Sequence, residues 1–217
     1  MSNQIAAVIF DFGGVIIPGA GDANALADQA TPFGRIEARY GLEPGTLWAA
    51  HYETETWRRL RVGEGTAELW HASVHEALLG QVDAETARAI LAELGEPRPV
   101  EFNEGMIELI QRLRGRVKVG LLSNAAPGLE EELAGHYRID HLFDDIINSA
   151  TVRLAKPDPR IYALAAERLG VDLRRCFFTD DLPHNIEAAR EAGMTAHQFD
   201  GYEGLVRALQ AAGVDCG

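Results

Sequence analysis

Cysteine is scarce in this chain, with two residues, Cys176 and Cys216, among 217. No disulfide framework can be built from them, and Cys176 lies in an apolar run where it reads as a small hydrophobe. Basic residues are also in deficit: 20 Lys and Arg face 33 Asp and Glu, for a formal net charge of -13 at pH 7. That balance offers no basic patch, which argues against nucleic acid as a partner and disfavours an anionic membrane surface. Any anion has to be met by a local device. Long apolar runs are missing too. The N-terminal one stops at Asp11 with no basic segment before it, which fits neither a secretory signal nor a membrane span. The expectation is a soluble, cytoplasmic protein, a monomer or homodimer, with no internal repeat or low-complexity segment.

What is present is a hydrophobic content of 47%, enough to bury one large domain or a core domain carrying an insertion. The run Ile5 to Phe10 reads as a buried strand ending at Asp11 and the turn residues Gly13-Gly14. Val117 to Leu122, Phe177 to Thr179 and Thr195 to Phe199 read as further strands. Helical stripes such as Met106, Ile107, Leu109, Ile110 and Leu113 lie between them, and Asp158-Pro159 is a helix start of the cap-then-proline type. This alternation predicts an α/β fold, a parallel sheet with helices on both faces. From Gly19 to Pro99 the pattern is helical instead, with Thr66 as an internal N-cap. The reading is therefore a core domain of residues 1–18 and 100–217 and an all-helical insertion over 19–99, with Glu96-Pro97-Arg98-Pro99 as the hinge back into the core.

Carboxyl ends of parallel strands share one edge of the sheet, so residues far apart in sequence can meet there. Asp11, Ser123, Lys156 and Asp181 are then expected in one pocket. An aspartate on a glycine turn suits a carboxylate nucleophile, which splits one difficult displacement into two easier steps. Asp11, Asp180 and Asp181 are hard oxygen donors of the kind Mg²⁺ takes, with Asp181 on the metal and Asp180 or Asn185 orienting it. Lys156 supplies a cation opposite them. Ser123 and Asn124 are candidate donors to phosphoryl oxygens, assisted by N–H groups of a helix that follows. Read singly, each is an ordinary cap, turn or surface residue. Together they point to chemistry.

These segments, Asp11-Phe12-Gly13-Gly14-Val15, Leu122-Ser123-Asn124, Lys156-Pro157-Asp158 and Asp180-Asp181-Leu182-Pro183-His184-Asn185, resemble in order the four motifs of the haloacid dehalogenase-like hydrolase superfamily. The resemblance covers essentially the whole chain. It implies a Rossmann-like core with a helical cap after the first motif, and Mg²⁺ as cofactor. It also implies Asp11 as a nucleophile forming an aspartyl-phosphate, Ser123 as the phosphate-binding hydroxyl and Lys156 as the bridging cation. Asp181 is the implied principal metal ligand, with the Gly13 carbonyl as another.

One departure matters. Phosphatases of the superfamily usually carry Asp-x-Asp in the first motif, the second aspartate serving as general acid and base, and here that position is Gly13. A group of its sugar-phosphate phosphatases resembles this chain in having glycine there. The expected activity is hydrolysis of a small phosphorylated metabolite, a sugar 1-phosphate being the preferred class. A 2-haloacid dehalogenase is the first alternative, because halide leaves without a proton, but Asp180-Asp181 tells against it. A catalytically idle phosphate-binding or partner-binding module is the second. His184 and His51 are candidate substitute acids, since imidazole titrates near neutral pH. In the insertion, His51 and Tyr52 are nominated to face substrate, while Trp48, Trp57, His71 and His75 are assigned to packing. The histidines lack ligand-like spacing for zinc.

Overall fold

The computed structural model describes residues 4–18, 31–96 and 99–217. Five parallel strands form one sheet: β1 Ala7–Phe10, β2 Lys118–Ser123, β3 Asp145–Asn148, β4 Cys176–Asp180 and β5 Thr195–Gln198, in the order β3-β2-β1-β4-β5. Every residue of β1 and β4 is buried, as expected of strands covered by helices on both faces. On one face Val8, Phe10, Val119, Leu121 and Phe177 pack with helix α6 (Met106–Leu113) and with Leu205 and Leu209 of helix α11 (Tyr202–Ala211). On the other, Ala7, Ile9, Leu122 and Phe178 pack with α9 (Pro159–Leu169) and α10 (Pro183–Ala192). The alternation along β1, even residues to one side and odd to the other, is the period of two that a strand imposes.

The sequence reading anticipated β1, β2, β4 and β5 but passed over β3. The predicted capping holds: the Asp158 side chain accepts from the Arg160 N–H at the start of α9, and Thr66 accepts from the Leu69 N–H at the start of α4 (Ala67–Leu79). Within the predicted insertion, α4 joins α1 (Pro32–Tyr40), α2 (Thr46–Tyr52), α3 (Glu55–Leu60) and α5 (Ala84–Leu94). Ile36, Leu47, Val74, Leu78, Ala87 and Ile90 form their own apolar cluster, separate from the two that flank the sheet. A buried Glu37 ties two of these helices together, its carboxylate accepting from Gly45 N at 3.0 Å and Leu47 N at 2.7 Å at the start of α2. The predicted boundary at Gly19 and the Pro97-Arg98 half of the hinge lie outside the described residues. No described helix is long and apolar enough to cross a membrane.

Candidate active site

Register brings the strand ends together. Phe10 pairs with Leu121 on one side and Thr179 on the other, and the Asp11 N–H donates to the Thr179 carbonyl at 2.9 Å. Asp11, Ser123 and Asp180 therefore reach the same edge of the sheet. The Asp11 carboxylate is held through Oδ1, which accepts from the Phe12 N–H at 2.7 Å and lies 2.9 Å from Lys156 Nζ. Its side chain keeps 11% exposure, so a substrate can reach the carboxylate.

Lys156 is buried to 1% and its ammonium is fully engaged: Asp11 Oδ1 at 2.9 Å, Asp180 Oδ2 at 2.6 Å and the Leu122 carbonyl at 3.0 Å. Three N–H donors meet three acceptors. These partners raise the ammonium above its ordinary pKa against the opposing effect of burial. Asn124, expected to donate to phosphate, also ties down the lysine main chain. Its Oδ1 accepts from the Lys156 N–H at 2.8 Å and its Nδ2 donates to the Lys156 carbonyl at 2.9 Å. The amide grips the lysine main chain from both sides, next to a cis Lys156–Pro157 peptide.

The adjacent aspartates divide their work. Asp180 is fully buried and accepts from Lys156, from the Leu182 N–H at 2.9 Å and from Asn185 Nδ2 at 3.0 and 3.1 Å. Asp181 places its carboxylate against the backbone of Gly14, where a Cβ would stand, and its main-chain carbonyl accepts from Gln198 Nε2. Carboxylate oxygens of Asp11, Asp180 and Asp181 all lie within 4.8 Å of one another. Three carboxylates around one ammonium leave a formal excess of two negative charges. Burial, together with Asp180 and Asp181, pushes the Asp11 carboxyl well above its usual range despite Lys156. A divalent cation would balance this set, and the residues fit Mg²⁺. With Asp180 committed to Lys156 and Asn185, Asp11 and Asp181 are the side chains placed to hold it.

Ser123 ends β2 opposite Asn148 and is buried to 5%. The helix expected directly after it is displaced. A turn comes first, its Ala125 N–H donating to Ser149 Oγ at 3.1 Å, and α7 begins only at Leu129 and runs four residues to Glu132. Tyr52 is half-buried, its hydroxyl pKa raised by its surroundings and by Tyr137 of a π-helical turn, Leu133–Tyr137; Tyr137 in turn meets Phe12 edge-on at 4.9 Å. The Tyr52 ring packs against Phe33, Trp48 and Trp57. His51 turns inward: Nδ1 bonds the Leu47 carbonyl at 2.7 Å, the ring packs on Phe33 and Trp70, and burial lowers its pKa. His184 is exposed at the start of α10. Tyr137 and Ser149 were missed in the sequence, which carried no signal for either, whereas Gly14 was named there as half of the glycine pair after Asp11.

A buried aspartate joined to a lysine, with an acid pair beside it, thus stands at the carboxyl edge of a five-stranded parallel sheet. The chain belongs to the haloacid dehalogenase-like hydrolases, whose family model matches residues 5–193. It is 27% identical over 197 residues to the fructose-1-phosphate phosphatase YqaB of Escherichia coli, covering 90% of this chain and 97% of that protein. It is 31% identical over 228 residues to phosphatase MT3486 of Mycobacterium tuberculosis, covering 97% and 96%. (S)-2-haloacid dehalogenases of Xanthobacter autotrophicus and a Pseudomonas strain are also related. Among solved structures, an aspartate-to-alanine variant of the family enzyme bt-2542 of Bacteroides thetaiotaomicron, in complex with magnesium and inorganic phosphate, superposes with a TM-score of 0.63. It is 19% identical, with 91% of this chain and 95% of that one covered.

Proposed function

We propose that the chain is a Mg²⁺-dependent phosphatase that hydrolyses a small phosphorylated metabolite through an aspartyl-phosphate on Asp11. The observation that carries this reading is the Asp11–Lys156–Asp180 network beside Asp181. Lys156 fixes Asp11 through one oxygen, leaving the other to attack phosphorus. As that O–P bond forms, the bond from phosphorus to the leaving oxygen breaks and the alkoxide departs. Water then attacks the aspartyl-phosphate, releasing inorganic phosphate and one proton and restoring the Asp11 carboxylate. Asp11 and Asp181, with the Gly13 carbonyl, would hold Mg²⁺, which would supply the charge neutralisation that lets an anionic phosphoryl group approach a carboxylate. Lys156 offsets charge on the nucleophile throughout, and Ser123 with the turn amides after it holds the phosphoryl oxygens.

Gly13 brings no acid to the departing oxygen. Leaving groups that need little protonation, such as an anomeric sugar oxygen or an aryl oxide, are then favoured, and sugar 1-phosphates are the preferred natural class. Neither substitute acid gains support from its placement, His51 being bonded within its own helix and His184 lying exposed. The dehalogenase reading draws on the relatives and on Gly13, but it leaves the buried acid trio without a purpose. Residues 19–99 act in this proposal as a cap that closes over the site, excludes water and selects substrate, in a cytoplasmic enzyme, monomeric or homodimeric, that binds neither nucleic acid nor membrane.

The test is hydrolysis of p-nitrophenyl phosphate with and without Mg²⁺. Activity should require the metal, and Asp11→Asn should abolish it while leaving the unfolding midpoint nearly unchanged. Near-normal turnover by Asp11→Asn would sink the assignment.

A further inference from the structure

Ser123, the hydroxyl assigned to phosphate, stands where regular structure stops: β2 ends at Ser123 and α7 does not begin until Leu129. Something has to fix the turn between them. Among the described residues Ala125, two positions past Ser123, makes no backbone-to-backbone hydrogen bond. Its N–H donates to Ser149 Oγ at 3.1 Å and its carbonyl accepts from the same hydroxyl at 3.4 Å. A hydroxyl is both donor and acceptor, so one side chain serves both polar groups of that residue. The neighbouring Ala126 carbonyl accepts from Asn148 Nδ2 at 3.1 Å.

Asn148 and Ser149 are both fully buried. Asn148 ends β3 as the register partner of Ser123. Its Nδ2 also donates to Glu130 Oε2 of α7 at 2.9 Å, and its Oδ1 accepts from the Ala150 N–H at 3.1 Å at the start of α8 (Ser149–Val152). Thr151 Oγ1 donates to the other Glu130 oxygen at 3.0 Å. On the opposite side, Asn124 ties the turn to the Lys156 main chain. The turn after Ser123 is thus clamped between the lysine segment and a buried polar seat at the end of β3. Two jobs separate within that seat. Ser149 and Asn148 hold the turn itself, whereas the Thr151 bond braces α8 against α7.

We infer that Ser149 and Asn148 are positioning residues for phosphate binding: by holding Ala125 and Ala126 they set where the Ser123 hydroxyl points. This rests on the phosphatase reading and adds to it a buried layer of side chains that act on the substrate only through the turn. Placement of this kind matters because a shift of about 1 Å in a group that orients substrate can cost about 10²-fold in rate.

Ser149→Ala removes both bonds to Ala125. With p-nitrophenyl phosphate and saturating Mg²⁺ it should lower kcat/KM by about ten- to hundredfold. Calorimetric titration reads the same role without turnover: affinity for inorganic phosphate in the presence of Mg²⁺ should fall about tenfold, the scale of a hydrogen bond to a charged group, while affinity for Mg²⁺ alone moves by less than about threefold. Ser149→Cys keeps most of the volume with a weaker donor and acceptor. It should give an intermediate loss, and it stands in for the alanine variant if that one does not fold. Thr151→Val cuts a bond of the same helix but none to the turn, so kcat/KM and phosphate affinity should stay within about twofold. Selective loss of phosphate affinity in the Ser149 variants supports the positioning role even if the unaltered protein hydrolyses nothing, in which case the phosphatase reading alone fails. Unchanged phosphate affinity in those variants, an equal loss of Mg²⁺ affinity, the same loss in Thr151→Val, or no phosphate binding by the unaltered protein overturns it.

Discussion

Replacing Lys156 with Met isolates the charge at the centre of the site. The methionine stem preserves most of the buried packing beside Phe178, whose ring centroid lies 5.4 Å from Nζ, while the ammonium and its contacts at 2.6, 2.9 and 3.0 Å disappear. Asp180 is then a fully buried carboxylate supported only by Asn185 and the Leu182 N–H, and Asp11 keeps only the Phe12 N–H. Breaking a buried pair by removing one partner typically costs about 3–5 kcal/mol, because the remaining charge is left uncompensated. For a chain of this size that corresponds to a fall in Tm of about 6–20 °C. Thermal and urea unfolding of the metal-free proteins measure it. Millimolar Mg²⁺ should narrow the gap, since a cation bound at Asp11 and Asp181 restores part of the lost charge balance. A deficit below about 1 kcal/mol, or one that Mg²⁺ leaves untouched, would show that the lysine does not hold the acid cluster together.

Asp181→Asn should raise the Mg²⁺ concentration needed for half-maximal activity by tenfold or more, and a Mg²⁺ titration matching the unaltered enzyme removes Asp181 from the metal site. Gly13→Asp should fold normally, because a Cβ at Gly13 meets nothing within 4 Å and the backbone there is not left-handed. It should also flatten the dependence of kcat/KM on leaving-group pKa, with gains on poor leaving groups approaching the order of 10²–10⁴-fold that general acids contribute; an unchanged steep slope would refute the missing-acid argument. Cys176 is buried and its thiol is pushed up to about 11, chiefly by burial. The sign is that of a thiol held neutral below that pH, so native protein at pH 8 should resist alkylation by iodoacetamide, and rapid labelling of Cys176 contradicts the packing.

Much of the core was legible because its determinants are local. β1 is a continuous apolar run and β4 begins as one, α9 and α4 announce themselves by capping residues, and Asp11, Ser123, Asp180 and Asp181 sit at or just past strand ends, where a parallel sheet must deliver them. β3 was not legible, for a physical reason. Asp145-Ile146-Ile147-Asn148 is four residues long with polar ends, and its strand character comes from pairing with β2, a contact that sequence pattern does not display. The tie between Asn124 and Lys156, 32 residues on, was hidden for a similar cause: a side-chain amide beside a serine reads as a phosphate donor, and its long-range partner shows only in the fold. His51 and Tyr52, adjacent on α2, both pack against Phe33, while His51 also meets Trp70 and Tyr52 meets Trp57, ring contacts that the sequence pattern does not display.

The glycine pair after Asp11 has a consequence for how such a site can change. Gly14, at φ 80°, leaves the space that the Asp181 carboxylate occupies, so any side chain there strains the turn and evicts the acid. Gly13 borders open space and tolerates a newcomer. One residue is a mould for the Asp181 carboxylate and its neighbour an open socket. A carboxylate can therefore be placed or removed at position 13 by a single substitution while the Asp181 side chain, seated against Gly14 one peptide away, keeps its position.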